Sequence, residues 1–172
     1  MAVVVGLVIA AAAEAGVGAQ GVAEPALKAA FLFNFVRFAN WPEDLLAPTA
    51  PIVLCVTDVE MGSALENLVA GRTIDQHALT VKRVKLDGSA RGCTALYAGK
   101  LDRRKAKDLL GVLQGTSVLT VGDAEDFATA GGMIGLFVDA GRMRFAINLD
   151  AVERSRLRLS AQVLSLAKIV RD

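Results

Sequence analysis

Two carboxylates stand where a ligand-binding crevice forms in many α/β proteins. Asp58 directly follows the apolar segment 52–57, and Asp123 comes just after the apolar segment 117–121. Both segments are predicted to be parallel strands, and open α/β sheets bind ligands outside the carboxyl ends of their strands. Asp58 and Asp123 are therefore candidates to face one crevice as a pair. The alternative is that each carboxylate caps the helix or turn after its strand, as Asp commonly does.

The other residue types that commonly form catalytic or metal sites lack the additional residues that such sites need. His77 is the only histidine and lies in a polar stretch, so a zinc site lacks its ligands. The sequence contains no G-x-S-x-G elbow, no Walker loop and no C-x-x-C motif. We therefore predict that the protein is not an enzyme and holds no metal and no cofactor.

Dinucleotides and nucleic acids are both poor candidates as ligands. Glycines 16, 18 and 21 form a G-x-G-x-x-G pattern, but an alanine-rich run precedes it and Val22-Ala-Glu-Pro25 follows it. A dinucleotide site needs a strand before the glycines and a helix that opens directly from them. The formal charge of +1 gives no electrostatic footprint for nucleic acid.

Residues 1–19 have the composition of a secretory signal peptide. Their apolar run ends near Val17-Gly18-Ala19, and it is shorter than the roughly 20 apolar residues that span a bilayer. Small residues before position 20 predict cleavage after Ala19, although no Lys or Arg precedes the apolar run. We expect an exported protein with its folded domain at residues 26–172.

The two cysteines, Cys55 and Cys93, have two interpretations. In a cytosolic protein they would be buried thiols, whereas an even count in an exported protein favours a disulfide. Cys55 lies inside one predicted strand and Cys93 precedes another, and neighbouring strands of one sheet would bring them within bonding range. With export, we predict a Cys55–Cys93 disulfide.

The segment 28–42 is unusually aromatic. It holds Phe31, Phe33, Phe35 and Phe38, and the only tryptophan, Trp41. Its length between Pro25 and Pro42 favours a helix over a strand, and a helical wheel places Phe31, Phe35 and Phe38 on one face. Phe33 falls off that face, so Phe33 and Trp41 are candidates for a protein interface. The alternative is that they pack in the core, as most phenylalanines do.

The order of elements predicts the fold class. A helix is followed by βα units, a β-hairpin around Asp139–Arg142 and a last helix that Ser160 caps. This order indicates a single-domain α/β fold: a mostly parallel sheet with helices on both faces and an antiparallel hairpin at one edge. The predicted strands are 52–57, 79–86, 94–99, 117–121, 133–138 and 143–148, and the later helices are 61–70, 103–113, 123–127 and 160–170.

Four stretches together resemble the YfiR family of exported bacterial regulators. Each stretch alone is weak evidence for the resemblance, but the order and spacing of the four match the family over about residues 26–172. They are Lys28-Ala-Ala-Phe-Leu-Phe-Asn-Phe-Val-Arg-Phe-Ala-Asn-Trp-Pro42; Leu54-Cys55-Val56 with the later Cys93; Val118–Val121 leading to Phe127-Ala and Gly131-Gly-Met-Ile134; and Arg144–Asn148 with Leu159–Lys168.

The resemblance implies a periplasmic, non-catalytic α/β domain. Studied members of the family repress a membrane-bound diguanylate cyclase by binding its periplasmic sensor domain, and their release raises cyclic di-GMP and promotes biofilm formation. Other inner-membrane receptors are alternative partners, and a homodimer is also implied. Cys55 and Cys93 match the family's framework disulfide. The family often has His after the second cysteine, and here Thr94 stands there.

Three functions follow from these observations. The first is a periplasmic regulator that binds the sensor domain of a membrane protein. The second is a periplasmic small-ligand sensor or solute-binding domain that uses the crevice near Asp58 and Asp123. The third is an exported hydrolase, for which the sequence offers no catalytic constellation.

Overall fold

The computed structural model describes residues 23–124 and 126–171. The predicted signal peptide and the glycine pattern at residues 16–21 lie outside these ranges. The helices within them are α1 (Glu24–Arg37), α2 (Val59–Val69), α3 (Arg103–Val112), α4 (Leu149–Arg154) and α5 (Ala161–Leu164). The strands are β1 (Ala39–Asn40), β2 (Ile52–Val56), β3 (Thr73–Ile74), β4 (His77–Arg83), β5 (Ala95–Tyr97), β6 (Leu119–Gly122), β7 (Ile134–Asp139), β8 (Arg142–Asn148), β9 (Arg158–Leu159) and β10 (Lys168–Val170).

The predicted fold class is confirmed by an eight-stranded sheet. Its strands lie in the order β10-β8-β7-β6-β5-β2-β4-β3. Pairing is parallel from β4 through β2, β5 and β6 to β7, and antiparallel in the β7–β8 hairpin. The hairpin turn places Ala140 and Gly141 at φ 47° and 73°, the left-handed conformation that such turns need. β10 pairs in parallel with β8 and lies outside the hairpin.

Each face of the sheet carries its own apolar core, because consecutive strand residues point to opposite faces. Leu54 and Val56 of β2 belong to a core that also contains side chains of α1, α2 and α4. Cys55, between them, belongs to a second core with Ala106 and Leu109 of α3. Helices therefore cover both faces, as the continuous apolar strands predict.

An aromatic cluster fixes α1 on its core. Phe35 is 2% exposed, and its ring lies 4.9 Å from that of Phe145 and 5.8 Å from that of Phe31. Tilted and edge-on ring pairs at such distances add to the free energy of burial. Pro25 stands in the first turn of α1, where its missing N–H costs nothing. The aromatic cluster therefore holds the middle of α1 on its core, and Pro25 favours the start of the helix.

The disulfide between Cys55 and Cys93 is present. The two Cα atoms are 5.9 Å apart, and both cysteines are buried in the core on the α3 face. The bond joins β2 to the segment just before its neighbour β5, as the sequence predicts.

Two predicted helices are wrong. Residues 123–127 were expected to be helical, but Phe127 lies in a run of turns, with its N–H bonded to the carbonyl of Ala124. Glycines 131 and 132 follow at once and do not favour a helix. The last helix was expected over residues 160–170, but it ends at Leu164 and β10 follows. Ile169 and Val170 are β-branched and pair with β8, so tertiary pairing overrides the helical pattern.

Among the described residues, no helix has both the length and the apolar composition that crossing a membrane requires.

Candidate functional site

Three neighbouring parallel strands end at one crevice. Asp58 follows β2, Tyr97 ends β5 and Asp123 follows β6. The first turns of α1 form the opposite wall with Glu24, Pro25 and Lys28. The crevice is open to solvent and has a volume of about 280 Å³, and its remaining lining residues are Glu60, Met61, Gly99 and Lys100. Asp58 and Asp123 both line this crevice, and its use as a ligand site stays a prediction.

Lys28 connects α1 to the base of the crevice. Its ammonium group forms an ion pair with Asp123 and another with Glu24, the latter at 2.5 Å. The side chains of Lys28 and Asp123 are only 14% and 12% exposed. Burial alone would lower the pKa of Lys28, but hydrogen bonds to Asp123 and Glu24 outweigh it and raise that pKa. Lys28 therefore couples the helix to the sheet through its contact with Asp123.

Tyr97 and Asp123 form a buried acid–phenol pair at the same place. Tyr97 is 3% exposed; burial raises the pKa of its phenol strongly, and the nearby charge of Asp123 raises it further. Asp123 Oδ1 is buried and has no hydrogen bond of good geometry within the described structure. A buried acceptor without a donor is costly, and the donor at hand is the Tyr97 phenol, which hydrogen-bonds to Asp123.

Asp58 has a structural role as well as a place in the crevice. Its Oδ1 accepts a hydrogen bond from the N–H of Met61 at 2.7 Å and so caps α2. The capping alternative is confirmed for Asp58. Asp123 instead forms the ion pair with Lys28. Within residues 23–124 and 126–171, no three His, Cys, Asp or Glu residues are grouped so that they could hold a metal ion.

A second cavity adjoins the first. Its volume is about 570 Å³, and Lys100 and Asp123 line both cavities. Its floor is the sheet face at Gly135 and Ala146, where small residues leave room above the strands.

Phe33 is not where the helical wheel predicts it. It is 9% exposed and belongs to the core on the α1 face. The prediction fails because α1 is buried on two sides, against the sheet and against α2. The guanidinium of Arg72 lies 5.7 Å from the Phe33 ring, a cation–π distance. In this conformation Phe33 offers little surface to a partner.

Trp41 lies half-buried at the other end of α1. Its Nε1 donates a hydrogen bond to the carbonyl of Ser117 at 2.9 Å. Two depressions, of about 760 and 420 Å³, both adjoin its ring. Arg156 lines both of them and donates two hydrogen bonds to Asp44 at 2.9 and 3.0 Å. A half-buried tryptophan beside an ordered arginine has the composition of an interface centre.

Sequence reasoning missed Lys28 and Tyr97 as site residues. One clue was present: Lys28 shares its helix face with Leu32 and Phe35, because residues four and seven apart lie on one side of a helix. A charged residue on a buried face indicates a buried counter-charge. Nothing in the sequence identified Asp123 as that partner, since the two residues are 95 positions apart.

Two solved structures are similar to this chain at low sequence identity. One is a conserved domain protein from Vibrio cholerae O1 biovar El Tor str. N16961, with 13% identity, a TM-score of 0.48 and 76% of this chain covered. The other is an ABC domain in complex with L-Trp from Streptococcus pneumonia, with 11% identity, a TM-score of 0.49 and 74% covered. This chain spans 57% of the length of each. These likenesses carry no argument about ligands.

A family match covers most of the chain. The family described as YfiR/HmsC-like matches residues 25–168. That range runs from the first turn of α1 to the start of β10 and includes both cysteines of the disulfide, Trp41 and every lining residue of the crevice except Glu24. The chain belongs to the YfiR/HmsC-like family.

Proposed function

We propose that the chain is a periplasmic regulatory protein that binds the periplasmic sensor domain of an inner-membrane signalling protein. The proposed partner is a diguanylate cyclase, which the bound regulator represses, so that it limits cyclic di-GMP and biofilm formation. The observation that carries the proposal is the family match over residues 25–168. The Cys55–Cys93 disulfide supports an oxidising compartment.

Export is part of this proposal. Residues 1–19 would act as the signal peptide and be removed after Ala19. N-terminal sequencing of the protein from a periplasmic fraction tests this, and we expect the mature chain to begin at Gln20. Recovery of the uncleaved chain from the cytoplasm alone would contradict export.

We propose that the partner contacts the surface around Trp41, which we define as Trp41, Leu45, Leu46 and Arg156. Leu45 is 43% exposed, lines one of the depressions beside Trp41 and lies in the loop before β2. Interface centres combine large rings, arginine and apolar neighbours. Phe33, the other candidate from the sequence, is buried and would contribute indirectly, by holding α1 in place.

The test is calorimetry of the oxidised protein with the purified sensor domain of a membrane cyclase encoded beside it. We expect binding, and we expect Leu45→Glu to weaken it by about tenfold or more, because a charge at an interface centre is costly to desolvate. Val138→Glu is the matched control, since Val138 is 67% exposed at the distant hairpin. No binding by the oxidised wild type would sink the proposal.

Repression is measured as a fall in the rate at which the cyclase forms cyclic di-GMP. Membranes that contain the cyclase should form less cyclic di-GMP when the wild-type protein is added, and Leu45→Glu should restore the rate. A homodimer, which the family resemblance implies, stays a prediction that sedimentation of the same sample tests.

A second candidate function is a periplasmic small-ligand sensor. The observation that favours it is the shared crevice of Asp58 and Asp123 at the carboxyl ends of β2 and β6. Such a crevice is the usual ligand position in parallel sheets. The two functions are compatible, because the crevice and the surface around Trp41 lie at opposite ends of α1.

A further inference from the structure

We propose that Arg156 is a positioning residue of the surface around Trp41: it clamps the loop that carries Leu45 and so fixes the shape that a partner meets. This role rests on the proposed partner binding and deepens it, because it names the contact that sets the affinity. Two observations carry it, the backbone conformation of Arg156 and the contacts that its side chain makes.

Arg156 ends α4 in a backbone conformation that favours glycine. Its φ is 60°. Its N–H bonds to the carbonyl of Glu153 at 2.9 Å, and the N–H of Leu157 bonds to the carbonyl of Val152 at 3.2 Å. These two bonds form the Schellman pattern of helix ends, in which the left-handed residue is usually glycine. A Cβ in that conformation is unfavourable, so arginine here is strained.

The side chain of Arg156 reaches the loop before β2. Its Nη1 and Nη2 donate to the two carboxylate oxygens of Asp44 at 2.9 and 3.0 Å, a bidentate geometry that fixes the direction of both groups. Asp44 directly precedes Leu45, which is 43% exposed and lines a depression beside Trp41. The pair therefore fixes the part of the loop that presents Leu45.

Other contacts hold the loop mainly at its two ends. At its start β1 pairs with β9, and at its end the carbonyl of Ala50 lies 2.7 Å from Nδ1 of His77. Between them, the N–H of Leu45 bonds to the carbonyl of Pro42 at 2.9 Å within the loop itself. Arg156 therefore ties the end of α4 to the middle of the loop.

Stability does not explain arginine at this position. The side chains of Arg156 and Asp44 are 59% and 60% exposed, and exposed ion pairs contribute little to folding. Glycine would relieve the strain and keep the Schellman bonds, which are made by the backbone. Strained residues of this kind occur at binding sites, and Arg156 lines both depressions beside Trp41. A role in partner binding accounts for both observations.

The first test separates partner affinity from stability. Calorimetry with the sensor domain of the cyclase and chemical denaturation are both run on oxidised Arg156→Gly and Ala140→Gly. Ala140 has a φ of 47° in the β7–β8 hairpin, so glycine relieves the same kind of strain there. We expect neither substitution to lower the denaturation midpoint. We expect Arg156→Gly alone to weaken partner binding, by about tenfold, because the loop must then be ordered on binding.

The second test asks whether Arg156 acts through Asp44. Asp44→Ala removes the clamp from the loop side, so we expect it to weaken binding as much as Arg156→Gly does. The double variant should be no weaker than either single one, as for two residues that act through one contact. Reversal of the pair, as Asp44→Arg/Arg156→Asp, should recover most of the affinity, because aspartate tolerates the left-handed conformation.

The clamp also has a readout that needs no partner. Trp41 is the only tryptophan of the chain, and its ring adjoins the depression that Leu45 lines. Acrylamide should quench its fluorescence more strongly in Arg156→Gly and in Asp44→Ala than in the wild type, and Ala140→Gly should match the wild type.

Each other outcome overturns the inference. If the wild type binds its partner and Arg156→Gly binds equally well, the clamp has no role and the proposed function stands. A loss with Arg156→Gly but not with Asp44→Ala would make Arg156 a direct contact. A denaturation midpoint that falls in Arg156→Gly alone would reduce its role to stability, and equal quenching in all variants would show that the pair does not hold the loop. No binding by the wild type would overturn the proposed function and this role with it.

Discussion

At the scale of single residues, the ionisation of Tyr97 can be measured directly and reports on the environment at the base of the crevice. It is the only tyrosine of the chain, so absorbance near 295 nm reports its ionisation alone. Burial, and then the charge of Asp123, raise its pKa. We expect the folded protein to show little tyrosinate at about pH 10, the ordinary midpoint. Asp123→Asn should bring the midpoint down, whereas a wild-type midpoint at the ordinary value would contradict the buried pair.

The same two groups determine alkaline stability. In the folded state, the pKa values of Tyr97 and Lys28 both lie above their usual values. The folded state therefore holds more protons than the unfolded state above about pH 10, and stability is lost as the pH rises through that range. Denaturant titrations from pH 9 to 11.5 should show this loss. Tyr97→Phe should flatten the decline by up to about 1.4 kcal/mol per pH unit, because one proton no longer takes part.

The disulfide is the second residue-scale determinant of stability. Cys55 and Cys93 are 38 positions apart, and closing a loop of that length stabilises a fold by about 4 kcal/mol in the chain-entropy model. Both cysteines are buried, so reduction requires opening of the core on the α3 face. We expect a reductant to lower the free energy of unfolding by about 2–4 kcal/mol. In the double variant Cys55→Ala/Cys93→Ala, the reductant should have no effect.

At the scale of elements, the turn after β6 depends on two glycines that contact the fully buried ring of Phe127. A Cβ at Gly122 would lie 2.6 Å from that ring, and a Cβ at Gly132 would overlap it too. We expect Gly132→Ala to lower the free energy of unfolding by about 1–3 kcal/mol, as overpacking does. Chemical denaturation of the oxidised protein measures the change.

Gly111 in α3 is the control for that substitution. A Cβ there would meet nothing within 4 Å, and alanine favours a helix over glycine by about 0.5–1 kcal/mol. Gly111→Ala should therefore stabilise the protein. Opposite signs for the two variants would separate packing against Phe127 from a general effect of replacing glycine, and equal signs would contradict the argument.

The sequence predicted most elements because their patterns are local. The apolar run of β2 and the amphipathic pattern of α3 lie close to the observed Ile52–Val56 and Arg103–Val112. The predictions that failed concern residues whose structure depends on tertiary contacts. Phe33 is buried because α2 packs on a second side of α1, and residues 168–170 form a strand because β8 offers an edge. The sequence indicates that Asp58 and Asp123 follow strands, but Lys28 reaches Asp123 only in the folded chain.

At the scale of the whole molecule, α1 lies between two possible sites. Its first turns form a wall of the crevice through Lys28, and the chain leaving its last turn reaches Trp41, which bonds to Ser117 just before β6 begins. The helix spans about 21 Å at 1.5 Å per residue and is held along its length by the Phe35 cluster. A ligand at one end and a partner at the other would therefore contact the same rigid element.

The sheet as a whole depends on its last strand. β10 pairs with Ala146, Ile147 and Asn148 of β8 and covers the edge that the hairpin would otherwise leave open. A chain that ends at Ala167 should lose about 1–3 kcal/mol of unfolding free energy, through lost pairing and exposed apolar surface. A chain that ends at Val170 is the control: among the described residues it loses the exposed ion pair of Arg171 with Asp150, and such a pair is worth about 0–1 kcal/mol. If both truncations unfold at the same denaturant concentration, β10 is dispensable and the stable sheet ends at β8.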